Sequence, residues 1–156
     1  MSINKLYIAV GLIIAFGLFF ELAAHADEIN ESTKITFSIP IEIPGRILPA
    51  GTYIFEQADP GANQNLVQIF NADRSVLYAT LQTVSAERTE PTGDTTITLV
   101  EPATGKRDVL VKWFYPGRLT GHEFVYPKQQ EQEIAQGKQE TFVGNQLMPS
   151  TEAAGE

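Results

Sequence analysis

Ile35, Phe37, Ile39, Ile41 and Ile43 occupy every second position, with Thr36, Ser38 and Glu42 between them. Strict alternation of this kind marks a strand with one buried face. Pro40 stands on the other register. Proline donates no ladder hydrogen bond, so it predicts either an edge strand or a bulge. Pro44 and Gly45 close the segment. Residues 48–55 read as a turn feeding a second strand, in which Pro49 fixes φ and Gly51 supplies a positive φ. Tyr53 and Phe55 then share one face. Residues 59–65 are polar and turn-forming, which predicts a loop. A third strand is expected over 66–70, a hairpin turn over 71–74 and a fourth strand over 76–84. Strands at 95–100 and 109–114 flank Pro102 to Gly105, a second hairpin with Gly105 at its left-handed position. Residues 122–126 supply the last strand.

Seven short strands with reversals every ~8–12 residues predict an all-β fold, a single antiparallel β-sandwich or a partly open barrel. The β domain is expected over 34–127, after an N-terminal arm at 27–33. Residues 128–136, rich in Gln and Glu with Ile134 as their apolar point, predict a short C-terminal helix. Beyond them, 137–156 is polar apart from Phe142, Val143, Leu147 and Met148, and reads as a disordered tail. Pro44-Gly-Arg-Ile-Leu48 echoes Pro116-Gly-Arg-Leu119, each before an aromatic strand, an echo that repeated turn chemistry explains better than its alternative, a duplicated hairpin corner.

The first 26 residues have a different pattern. Lys5 is followed by an uncharged apolar run over 6–20, then by Glu21 and by the small residues Ala24 and Ala26. This is the layout of a signal peptide, with an apolar run short of the ~20 residues a membrane span needs. An uncleaved anchor is the alternative. Cleavage after Ala26 would leave Asp27 first and no other membrane span, and would remove Lys5 and Glu21 together, preserving the net charge of −8. That negative charge argues against nucleic acid and anionic lipid as partners. The chain has no cysteine. An exported domain without disulfides relies on its core alone, and the expected location is periplasmic or extracellular, in a bacterium.

The same composition narrows the chemistry. Once residues 1–26 are removed, His122 is the single histidine, so no His/Cys set for zinc exists and no metal or cofactor is expected. No nucleophile-elbow pattern accompanies His122, and no glycine-rich phosphate loop is present. Glu101, Asp108 and Glu123 are the carboxylates left for glycosidic chemistry, although such groups are ordinarily solvated.

The densest cluster of aromatics is Trp113-Phe-Tyr-Pro-Gly-Arg-Leu-Thr-Gly-His-Glu-Phe-Val-Tyr-Pro-Lys128, which reads as a hairpin. Trp113 and Tyr115 point to one face and Phe114 to the other, while His122, Phe124 and Tyr126 share a face on the return strand. Exposed, Trp113, Tyr115 and Tyr126 would form a platform for a sugar ring or a partner protein, with Arg118, His122 and Glu123 at its rim. Buried, Val109, Val111, Trp113 and Tyr115 would instead form an inward face anchored by Trp113.

The turn-strand Leu48-Pro-Ala-Gly-Thr-Tyr53 and the Trp113-Phe-Tyr-Pro-Gly117 and Glu123-Phe-Val-Tyr-Pro127 segments resemble those of an uncharacterised family of small exported bacterial all-β proteins. The resemblance spans roughly residues 35–128 and implies export and a β fold. It carries no activity or site residues across. The functional expectation is a non-catalytic exported module that binds a protein or a glycan. The alternatives are a carrier with an apolar ligand in an internal cavity and, third, a carboxylate-dependent hydrolase.

Overall fold

A computed structural model describes residues 31–143. The expectations for residues 1–30 and 144–156 lie outside the described residues.

Ten strands and one helix follow in order: β1 Ser32–Phe37, β2 Ile41–Ile43, β3 Arg46–Leu48, β4 Gly51–Asp59, β5 Asn63–Asn71, β6 Leu77–Glu87, β7 Thr96–Glu101, β8 Val109–Phe114, β9 Thr120–Phe124, α1 Lys128–Ala135 and β10 Lys138–Val143. The strands form one large mixed sheet, predominantly antiparallel and not closed into a barrel. The expected all-β class and the C-terminal helix are both present.

One ladder runs β1-β4-β5-β6, and a second runs β6-β9-β8-β7-β10. The long strand β6 belongs to both. Its first half, through Gln82, pairs with β5, and its second half, from Thr83 to Glu87, pairs with β9. The β2–β3 hairpin joins β8 through a parallel bridge between Glu42 and Val109. The inner faces meet in an aromatic core, where the Phe55 ring stands edge-on to Trp113 at 5.9 Å and to Phe124 at 6.4 Å. Phe37 touches Tyr53 and Phe55 from β1.

Four local details depart from the sequence expectations. The alternating segment 35–43 keeps Ile35, Phe37, Ile41 and Ile43 buried. It is nevertheless two strands rather than one, because the chain breaks at 38–40 and crosses from the β4 ladder to the β8 ladder. Pro40 explains the break, since it withholds the ladder donor. The positive φ belongs to Gly45, at +79°, in the β2–β3 turn. Gly51 instead opens β4 opposite Phe37. Gly105, at φ +68°, takes the left-handed position expected of it.

On β8, Thr98 faces Lys112 while the next residue of β7, Leu99, faces Leu110, so Val111 is an extra residue. The bulge changes the side-chain parity. Leu110 and Trp113, three apart, both enter the core, and Val111 leaves it.

The tail is not disordered throughout. Residues 138–143 are ordered as β10, antiparallel to β7 from Lys138 opposite Glu101 to Val143 opposite Thr96. Its first four residues are exposed, which hides the strand from a hydropathy pattern. A charged edge strand is also a means of discouraging edge-to-edge association.

Candidate functional site

The aromatic hairpin is formed by β8 and β9, but it does not present a platform. Trp113 is 0 % exposed, Tyr126 5 % and His122 6 %. Trp113 and His122 face each other across the two strands, and their rings stack at 5.1 Å. His122 Nδ1 lies 3.1 Å from the Thr83 hydroxyl. The Tyr126 hydroxyl donates to the Leu110 carbonyl at 2.6 Å, and also reaches the Glu42 carbonyl at 3.4 Å. Burial pushes this phenol well above its ordinary pKa, and the nearby Glu42 adds to the rise. Tyr115 is half-buried against the core, and Arg118 is exposed in the turn. The five expected binding residues are therefore split between core and turn. Trp113 packs against Phe55 of β4, His122 stacks on Trp113, and the Tyr126 hydroxyl is satisfied by main-chain carbonyls, which lets all three rings leave water.

The turn itself is held by Arg88. Its guanidinium donates to the Arg118 carbonyl at 2.7 Å, to the Tyr115 carbonyl at 3.2 Å and to the hydroxyls of Thr92 and Thr96. It also covers the Phe114 ring at 4.7 Å.

The three carboxylates do not form one cluster either, although Asp108 lies near Glu101. Glu123 lies opposite Lys112, and their side chains pair at 3.6 Å. Glu101 is two strands away on β7, at the end that pairs with Lys138. Asp108 is raised above the usual carboxylate range by burial, with Glu101 and Glu140 adding repulsion. No group of three or more metal-ligating side chains occurs among the described residues. No described helix is long and apolar enough to cross a membrane.

Among the described residues, a concave surface lies where α1 crosses the outer side of the β7–β8–β9 ladder. A groove of about 450 Å³ has Val100, Val111, Phe124, Tyr126 and Ile134 among its apolar lining and Lys112, Glu123 and Gln139 among its polar groups. On the other flank of α1, a second groove of about 290 Å³ is lined by Glu42, Lys106, Val109 and Glu133, and again by Ile134. The bulge that sends Leu110 and Trp113 inward is what turns Val111 toward the larger groove. Gly137 fixes the far end, because a Cβ there would stand 2.4 Å from Val100 Cγ1 and 2.6 Å from the Glu101 carbonyl oxygen.

Sequence reasoning missed Lys112, Val111 and Gln139. Ile134, as the apolar point of the expected helix, signalled this surface, and so did Glu123 and Tyr126, named above as platform residues, which line the groove from β9 and the segment after it. The arrangement combines apolar contact with a mixed-charge margin, and suits non-covalent recognition. Comparison with family models, with curated proteins and with solved structures finds no match to this chain.

Proposed function

We propose that the protein is a non-catalytic binding module of the bacterial envelope or exterior, and that it takes a segment of a partner protein in the larger groove beside α1. The observation that carries this reading is the groove's composition. The half-buried Ile134, over a floor of Val100, Val111 and Tyr126, sits beside the half-exposed Lys112–Glu123 pair, so that side chains and main-chain amides of a peptide both find complements. Export rests on the pattern of residues 1–26 and on the family resemblance.

Less supports the other readings. Glycan stacking needs an exposed ring face, whereas Trp113 is fully buried and Tyr126, although it lines the groove floor, is only 5 % exposed. A carrier needs internal space, and the Phe55 ring occupies the interior against both Trp113 and Phe124. Hydrolysis needs two carboxylates flanking one cleft; Asp108 and Glu101 are near each other but line neither groove, and Glu123 pairs with Lys112.

The test is site-specific photo-crosslinking in an exporting bacterium. A photoreactive residue at Gln139 or Glu131 should give a discrete protein adduct, lost on Lys112→Glu. The same group at Thr80, exposed on β6, should give none. Equal labelling at all three positions, or labelling at none, would overturn the proposal.

A further inference from the structure

We propose that α1 is a strap that lifts from the sheet, joining the two grooves into one continuous binding face. The proposal rests on the groove being the binding site only for what enters. The motion itself can be measured without any partner.

Both ends of the strap are fixed. Before it, Tyr126 is buried and bonded to the Leu110 carbonyl. After it, Gly137 is seated against Val100, and β10 continues into its six-residue ladder with β7. The middle is different, since none of the eight residues of α1 is buried. Its N-cap is Pro127, which makes no side-chain cap hydrogen bond, and its last turn carries no basic residue. Its termini keep only Glu131 in the first turn and the Gln136 and Gly137 amides on the last-turn carbonyls, without a side-chain cap at either end. Isolated helices shorter than ~12–15 residues are marginal in water.

Three described contacts hold it down. Gln130 Nε2 donates to Glu42 Oε1 at 2.7 Å, Lys106 pairs with Glu133 at 3.4 Å on the surface, and Ile134 is half-buried against the core. An exposed ion pair adds at most ~1 kcal/mol. Ile134 is also the wall common to both grooves. Raising it would remove the partition and expose Val100, Val109 and Val111 as a single apolar strip. The occupant that suits this strip is an extended partner segment with apolar side chains on its inner face. Gln130, Glu131 and Glu133 would then close over that segment from above.

Hydrogen exchange of the full-length protein, read by mass spectrometry, tests the motion. Amides of 130–136 should exchange at least ~100-fold faster than those of β8 and β10, because local opening is independent of global unfolding. Equal protection of strap and strands would overturn the proposal. A clamp then tests the gating role. The chain has no cysteine, so Lys106→Cys with Glu133→Cys can be tied by a bismaleimide. The clamped protein should lose both the fast exchange and the Gln139 adduct. A clamped protein that still forms the adduct would refute gating while leaving the binding site intact. Fast exchange with no adduct, even in the unclamped protein, would sink the binding reading and keep the strap.

Discussion

The indole of Trp113 lies on the imidazole of His122, with ring centroids 5.1 Å apart and planes 19° from parallel. Both rings are in the core, and the indole meets Phe55 of the opposite layer edge-on. Trp113 Nε1 has no hydrogen-bond partner among the described residues, so here packing outweighs one unsatisfied donor. Trp113→Ala should therefore cost about 3–5 kcal/mol of stability, measured by urea unfolding. As the only tryptophan, Trp113 should also emit in the blue and resist acrylamide. A red, readily quenched emission from the folded protein would contradict this packing.

Tyr126 predicts the response to alkali. Its phenol is raised above the ordinary 10.0 by burial, so the folded state holds this proton more tightly than the unfolded chain does. The resulting stability is complete below pH 10 and is lost as pH climbs toward the folded value. Wild type should thus weaken steeply above about pH 10, and Tyr126→Phe should weaken less steeply there. At neutral pH that variant should lose about 1–2 kcal/mol, for the missing bond to the Leu110 carbonyl. Parallel melting curves between pH 7 and about 11 would decide both points.

Gly121 has no room for a methyl group. A Cβ there would stand 2.5 Å from Phe114 Cδ1 and 2.6 Å from the Trp113 carbonyl oxygen. Gly121→Ala should cost about 1–3 kcal/mol through displacement of β8 from β9. Gly93, with nothing within 4 Å of its added Cβ, supplies the control, and Gly93→Ala should stay within about 0.5 kcal/mol of wild type. Equal melting temperatures for the two variants would refute the close approach.

Ending the chain after Gly137 removes β10 and leaves the edge of β7 bare. The sequence pattern alone predicts almost no effect from this cut. With β10 in its ladder and Phe142 half-buried, the expected result is a lower melting temperature and concentration-dependent association through the uncovered edge. Light scattering beside thermal melts would register both.

The pattern of apolar positions made most of the β class legible, because alternation reports burial directly. Ile35, Phe37, Ile41 and Ile43 are buried as their spacing requires. The same spacing conceals that Pro40 sends the two halves into different ladders, since inward-facing residues of either layer read alike. Val111 shows the opposite difficulty. One extra residue in β8 inverts the parity around it, and nothing in a run of Val, Leu, Val says where a bulge falls. The groove was hidden for a related reason. Lys112 and Glu123 become neighbours only through strand pairing, whereas Trp113 and Tyr126 drew notice as large rings and proved to be core.

β6 is the strand shared by both ladders, with the exchange at Gln82 and Thr83. A chain built this way has a mechanical keystone. Neither layer can be pulled apart or melted alone without disturbing the strand that completes the other, so unfolding should proceed as one transition rather than two. The same joint delays assembly, because the second layer cannot register until the first has set the course of β6. Thr83, fully buried at that joint, is where a single broken rung would be felt on both sides.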